Sequence, residues 1–364
     1  MGISSFSFLS ALLWCCGFTL FGWFMRRRRF LKQTGPQVLL SFHLLGAVRL
    51  VLPVEFSITT VVSVNIAPYP LVMDNREVAV VLPVLLAVWI CGSTIALTRF
   101  FLRYAKLHRR LSSYRSTAKG THLLNQVAGK KVEARVVLSP ISTVPYVFGL
   151  KNPIIVLPQS VYPIAELRDV ILHEYYHIRC GHLWIKYALS LLICIYWWFP
   201  VLYLLRHETD ALLELLCDDL VLKNKSSLQA LHYGELLLQS PPSSPRLNDS
   251  LQTKFTSDRT TVHRLERILD FAYGHNQVKK HLETVIMLLM ILAMLFSYAF
   301  LLQSRFDPLE SNYTAYAFDQ EESYLILTPT GTYILVMKEQ RTELTQEQGE
   351  KLIADGFRVI DKGG

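Results

Sequence analysis

The stretch VAVVLPVLLAVWICGSTIAL, Val78 to Leu97, runs for 20 residues without a charged side chain. Two others resemble it: Gly2 to Met25, of 24 residues, and Thr284 to Ser304, of 21. A helix needs about 20 apolar residues to cross the hydrocarbon core of a bilayer, so all three read as transmembrane helices. A cleaved signal peptide is the rival reading of the first, but its basic cluster follows the apolar run instead of preceding it. Composition agrees: of 364 residues 51% are apolar and 18% charged, and mean hydropathy is +0.28. Soluble domains carry about 25% charged residues. A purely soluble enzyme and a disordered chain are both disfavoured, and six cysteines are too few for a disulfide scaffold.

Charge sets the orientation. Arg26 to Arg29 and Lys32 follow the first span, and Arg99, Arg103, Lys106, Arg109 and Arg110 follow Val78–Leu97. Basic flanks stay cytoplasmic, so another crossing is required between them. Gln37 to Phe56 supplies it, although it contains His43, Arg49 and Glu55. Arg49 near an end of the span can snorkel. The N-terminus is then outside, Ser57–Glu77 is an external loop, and the last span leads outward. From Arg305 on there are six Lys and Arg against eleven Asp and Glu, a net of −5, which leaves +13 for the rest of a chain totalling +8. That asymmetry fits two compartments.

Between the third and fourth spans lies one large segment, Arg99 to Leu282. Tyr104 to Gln126 is basic and helical in character. Lys131 to Ser160 holds short β-branched runs punctuated by Pro140, Gly149 and Asn152-Pro153, which predicts a sheet of two to four short strands. Ala165 to Cys180 reads as a helix, preceded by Pro163 and closed by Gly181.

That helix carries His173-Glu174-Tyr175-Tyr176-His177. Histidines at i and i+4 project from one face and can grip one metal ion, and neutral imidazole suits Zn²⁺. Glu174 stands where it can take a proton from water at the metal, whose pKa zinc lowers to about 7. Glu214-Leu215-Leu216-Cys217-Asp218-Asp219 supplies a third ligand in Glu214, with Asp218 one turn on as acceptor for the free N–H of His173. A solvated acidic face is the competing reading. Yet Leu212, Leu213, Leu215, Leu216 and Leu220 surround these acids, and carboxylates on so apolar a helix require a partner. Cys180 and His182 could also bind metal, but three ligands are already in place and a catalytic zinc keeps one position open. For the oxyanion donor His207, Tyr233 and Arg264 stay open, as does a contact from Arg264 or Arg267 to the domain core.

Tyr187 to Leu205 is 19 residues without a formal charge. Were it to cross the membrane, Glu214 could not meet His173 and His177. Pro200, just after Trp197, Trp198 and Phe199, breaks a helix, and Trp and Tyr favour the interface. The segment is therefore expected to dip into the bilayer as a hairpin or lie in its surface.

HEYYH followed by ELLCDD, with VPYVFGLKNPIIVLP (Val144–Pro158) just upstream, resembles the membrane metallopeptidases of the penicillinase and methicillin-resistance sensor-transducer family, over about Ser5 to Gln303. The resemblance implies a gluzincin-like fold with zinc on His173, His177 and Glu214, a catalytic Glu174 and a supporting Asp218. It also implies an edge strand around Val144, Tyr146 and Phe148 that binds the substrate backbone by β-augmentation. Its members relay an external signal and cause loss of a cytoplasmic DNA-binding repressor. The best-known members carry a large external penicillin-binding sensor with a Ser-x-x-Lys motif. Arg305–Gly364 holds no such motif: Ser311 and Ser323 are followed at the third position by Thr314 and Ile326. This argues against covalent β-lactam sensing and leaves the tail as a smaller sensor or a docking module. Within it, Tyr324–Met337 reads as a β-hairpin turning near Pro329-Thr330-Gly331, and Leu344–Phe357 as a short helix.

The expected protein is thus an α-helical multi-pass membrane protein with a cytoplasmic α+β gluzincin-like metalloprotease domain. Residues 1–98 hold three transmembrane helices, 99–282 the zinc peptidase with its membrane-dipping segment 187–205, 283–304 the fourth helix, and 305–364 a small extracytoplasmic tail. The location is a bacterial inner membrane, and the partners are the lipid bilayer and a cytoplasmic protein substrate such as a repressor, or the chain itself. No direct nucleic-acid contact is expected, and a homodimer is left open. A quality-control protease and a non-catalytic transducer scaffold are the alternatives. An intramembrane protease is disfavoured, because Arg168, Asp169, Arg179 and Lys186 flank the motif and the last span contains no Asp.

Overall fold

The computed structural model describes residues 5–26, 34–54, 60–64, 75–140, 142–159, 163–239, 257–274 and 280–304, then 323–327, 333–337, 340–344, 346, 349, 352–353 and 358–361. Among these, three helices are long and apolar enough to cross a membrane. They are α1 (Ser5–Met25), α3 (Asn75–Ser112) and α10 (Lys280–Ala299). On α3 the apolar side chains face outward: Leu85, Ile90 and Ile95 are each 58–60% exposed. An exposed apolar stripe of this kind is what a membrane or a partner protein covers.

Helix α2 (Pro36–Val51) has 16 residues, about 24 Å at 1.5 Å per residue. It is shorter than the span expected over Gln37–Phe56. Arg49 does not snorkel. It is buried, with its guanidinium on the carbonyls of Leu52 (3.2 Å) and Ser297 (3.4 Å) and over the ring of Tyr298. Tyr298 in turn donates to the Leu52 carbonyl at 3.0 Å. At the other end of α2, the Gly35 N–H donates to Glu283 at 2.6 Å. Helices α2 and α10 are therefore tied at both ends, around a shared core of Phe18, Val38, Phe42 and Met290. The last helix also stops earlier than expected: Phe300–Ser304 is extended as β5 and pairs with β1 (Thr60–Val64).

The basic helical stretch after the third span is broken. Ser116 bridges Val137, and the Thr117 N–H donates to the Val136 carbonyl at 2.8 Å, before α4 (Ala118–Ala128) begins. The sheet is three-stranded, in the order β2 (Arg135–Ser139), β4 (Ile154–Pro158), β3 (Tyr146–Phe148), with β2 parallel and β3 antiparallel to β4. Strand alternation splits its side chains between two layers. Val136, Ile155 and Leu157 pack with Leu124 of α4 and with Ile171 and Tyr175 of α5 (Ile164–Arg179), while Val137, Ile154, Val156 and Phe148 pack with Leu111 of α3.

Helix α5 ends as the sequence predicts, with Gly181 in the left-handed region at φ 70°. Helix α6 (His182–Ile195) follows at once, bent by 60° from α5. It ends at Tyr196, and Pro200 opens α7 (Pro200–Leu222). The two form a hairpin whose buried residues, from Leu189 to Leu205, pack with Ala11 and Cys15 of α1 and Ala47 and Leu50 of α2. The carbonyl of Ile195, left without an intrahelical partner at a helix end, accepts from Trp89 Nε1 (2.7 Å) and Ser93 Oγ (3.0 Å) of α3. Against α5 and α7, α8 (Ser227–Gln239) and α9 (Ser257–Ala272) close a core of Val221, Leu222, Tyr233, Leu236 and Ile268.

The C-terminal residues form a separate unit, a sheet in the order β8 (Gln340–Leu344), β7 (Tyr333–Met337), β6 (Ser323–Leu327), β9 (Arg358–Asp361). The hairpin β6–β7 has the register Leu327 opposite Tyr333. Its turn at Pro329-Thr330-Gly331 lies outside the described residues. Of the helix expected over Leu344–Phe357, the described residues 346, 349, 352 and 353 are helical, and Leu344 still belongs to β8.

The hairpin tip rests on one glycine. A Cβ at Gly92 would lie 2.5 Å from the Trp197 indole, so Gly92→Ala must displace that ring from α3. Overpacking of this kind costs about 1–3 kcal/mol, and thermal unfolding in detergent should show a correspondingly lower midpoint.

Candidate metal centre

Two helices build the centre. On α5, Ile171 and Tyr175 are committed to the sheet, which turns His173, Glu174 and His177 toward α7; all three are buried, at 5–8% exposed. On α7, Leu212 and Leu215 pack on Leu39 of α2, which leaves Glu214 and Asp218 facing α5. The result brings together residues that lie 41 positions apart: His173 Nε2 is 3.2 Å from one oxygen of Glu214, and His177 Nε2 is 3.4 Å from the other. Ligands about 2.0–2.1 Å from a tetrahedral zinc stand about 3.3–3.4 Å apart. Each imidazole thus stands from one Glu214 oxygen at about the spacing of two such ligands, and the donor set of two imidazoles and a carboxylate is one that zinc accepts. The Cys217 thiol also falls within 4.8 Å of the donor atoms of His173 and His177. Its hydrogen bond runs to His182 Nδ1 at 3.5 Å. Burial raises its pKa, reinforced by the charges of Glu214, Asp218 and Glu174.

The face of His173 away from Glu214 meets Asp218, with Nδ1 at 3.2 Å from Oδ1. The Tyr233 hydroxyl lies 3.0 Å from the same nitrogen and donates to Asp218 at 2.7 Å. Arg264 closes on Asp218 as a fork, at 2.6 and 2.8 Å. Burial by itself would raise the pKa of Asp218, but the Arg264 guanidinium and its hydrogen bonds hold it at about 2. Burial likewise works against charge on His173, yet the hydrogen bonds to Asp218 and Glu214 prevail and lift it to about 9. Burial dominates at His177, which falls to about 3. Burial of Glu214 is outweighed by His177 and Lys186, and its carboxyl sits well below the usual range.

Of the residues the sequence singles out, His173, Glu174, His177, Glu214 and Asp218 share one place. Tyr233 and Arg264 join them, but both serve Asp218; Arg264 also approaches Glu214 at 3.5 Å. His207 instead faces Glu208 at 4.0 Å, where Arg26 pairs with the same carboxylate at 3.0 Å. Cys180 is exposed at the end of α5. Arg267 forks onto Asp219 at 2.5 and 2.7 Å, so Arg264 and Arg267 of α9 each grip α7. Strand β3 is an outer strand of its sheet. Val144 precedes it, and Phe148 is buried against Tyr104, so backbone and not the Phe148 side chain is what this edge can offer. Sequence reasoning missed Lys186, whose ammonium is 3.4 Å from Glu214. It is the lone charge within Leu183–Ile195, a signal that could have marked it.

The Asp218–Arg264 pair makes the stability of this centre acid-sensitive. The Asp218 pKa lies at about 2 against an ordinary 3.8, so its contribution is complete above the ordinary value and is lost as pH falls through the lower one. Asp218→Asn leaves a buried guanidinium short of its partner, a change that costs about 3–5 kcal/mol. Denaturant titrations of the metal-free protein between pH 2 and pH 7 should show that loss at neutral pH, and the acid-dependent part should be missing from the variant.

Comparison with known proteins agrees with this geometry. The profile of the family described as BlaR1 peptidase M56 matches residues 42–268, a range that contains every residue of the centre. The regulatory protein BlaR1 of Bacillus licheniformis is 30% identical over 211 residues, 55% of this chain and 32% of that protein. The methicillin resistance mecR1 proteins of Staphylococcus aureus and Staphylococcus epidermidis are 27% identical over 196 residues, 51% of this chain and 32% of theirs. The matched region therefore spans about a third of the length of these curated relatives. Because the profile covers more than half of the residues, the paired imidazoles and their carboxylate included, the chain belongs to the BlaR1 peptidase M56 family.

Proposed function

We propose that this protein is a zinc-dependent endopeptidase of the bacterial inner membrane that acts in signal transduction. In this reading it is a multi-pass helical protein with a cytoplasmic, gluzincin-like domain, and its N-terminus and C-terminal tail lie outside. It cuts a cytoplasmic protein, such as a transcriptional repressor, or itself, after an external signal. The observation that carries the reading is the convergence of His173 Nε2 and His177 Nε2 on the Glu214 carboxylate, at 3.2 and 3.4 Å, beside a buried Glu174. The names of the relatives, a regulatory protein and methicillin resistance proteins, support the signalling part.

His173, His177 and Glu214 would hold the ion. A bound zinc supplies Lewis acidity, which polarises a peptide carbonyl and acidifies water. The chain's own residues do the rest. Glu174 takes up a proton at its carboxylate and returns it to the departing amine. Asp218 and Tyr233 hold the Nδ1 side of His173, which keeps Nε2 directed at the ion. The backbone of β3, with Val144 leading into it, pairs with an extended segment of substrate and sets its register. Hydrophobic packing of α5 and α7 on either side keeps bulk water from the carboxylates, which strengthens every charge interaction there.

Glu174→Ala separates binding from chemistry. Purified in detergent, wild type and variant should both hold about one zinc per chain, while the variant loses self-cleavage, or cleavage of a co-encoded winged-helix repressor, by at least about 100-fold. A wild-type protein that binds no zinc would refute the ligand assignment and leave the scaffold reading in its place.

A further inference from the structure

We propose that His182, a residue outside the ligand set, is the positioning residue for His177, and that it sets how tightly the centre holds its ion. The inference rests on the metal reading given above. If His177 gives the lone pair of Nε2 to the ion, its proton resides on Nδ1, which then requires an acceptor. That nitrogen lies 3.2 Å from Nδ1 of His182, and the rings meet edge to face with centroids 5.1 Å apart. Both side chains are buried, at 5% and 4% exposed. His177 Nδ1–H therefore donates, and His182 accepts as the neutral tautomer with its proton on Nε2. The Cys217 thiol, 3.5 Å from the same lone pair, is a weaker second donor.

The two histidine ligands are thus braced differently. His173 has a carboxylate at its back, Asp218 at 3.2 Å. His177 has an imidazole, although metal-bound histidines usually donate to a carboxylate, a carbonyl or water. The arrangement is a product of the chain path. In a straight helix, position i+5 is turned about 140° from position i, and His182 would face away. The left-handed Gly181, φ 70°, and the 60° bend it introduces bring His182 back beneath His177 as the first residue of α6. One ligand of the centre therefore takes its orientation from the helix that leads into the hairpin.

The test uses three variants of the full-length protein in detergent, with zinc affinity read by competition against a chromophoric chelator. His182→Ala removes the acceptor and should weaken zinc binding about 10–100-fold. His182→Asn places an amide oxygen where Nδ1 stands and should stay within a few-fold of wild type. His182→Gln places its amide where Nε2 stands and should behave like His182→Ala. If His182→Ala binds as wild type does, or if Asn and Gln are equivalent, the acceptor role is overturned, and the comparison of Asn with Gln decides even if the alanine variant does not fold. Zinc-free wild type would strike down the metal reading itself, whereas zinc-loaded wild type with indifferent variants strikes down this proposal alone.

Discussion

A single carboxylate governs the architecture. For Glu214 to stand between two imidazoles at 3.2 and 3.4 Å, helices α5 and α7 must lie side by side. The apolar segment between them is long enough to read as a membrane span. It turns back at Tyr196–Phe199, and the turn is held by two hydrogen bonds from α3 to the Ile195 carbonyl. A buried carboxylate without a partner is costly, so the pairing at the centre and the reversal of the chain support each other. At the tip the rings of Tyr196, Trp198 and Phe199 pack on one another.

Around Glu214 the charges are arranged in layers. The inner pair of imidazoles differs in character: one is held toward its protonated form by Asp218 and Glu214, the other is kept neutral by burial. Behind them α9 supplies two guanidinium forks, Arg264 on Asp218 and Arg267 on Asp219. These pairs have desolvation to overcome, and bidentate geometry is what lets them do so. They lock α9 to the helix that carries Glu214, while Lys186 approaches the same carboxylate from α6. Movement of α6, α7 or α9 therefore changes the surroundings of the centre directly.

Helix α2 connects this centre to the last helix. One side of α2 places Leu39 against Leu212 and Leu215, the neighbours of Glu214. Its two ends are tied to α10 by Gly35–Glu283 and by Arg49 on Ser297. Helix α2 serves as a packed strut whose buried arginine meets two carbonyls and an aromatic ring instead of a carboxylate.

Much of this was legible in the residues alone. The i, i+4 spacing of His173 and His177 sets two side chains on one helix face. Gly181 and Pro200 mark where helices must stop, and uncharged runs of 20 residues or more announce the long apolar helices. These are local statements, decided by backbone geometry within a few residues, and the structure shows the corresponding elements, with ends that shift where a long-range contact intervenes. The break at Ser116–Thr117 comes from pairing with β2, and the early end of α10 from pairing with β1. The order of residues already dictates which side chains share a face and which carboxylates require a partner. Only the tertiary structure decided who that partner is: Tyr233 and Arg264 for Asp218, Arg267 for Asp219, Lys186 beside Glu214, and His182 behind His177. Such pairings join positions that the helix repeat does not relate, and they are set by how whole helices pack, where hydrophobic burial acts without direction and leaves the polar groups to meet whatever it brings near.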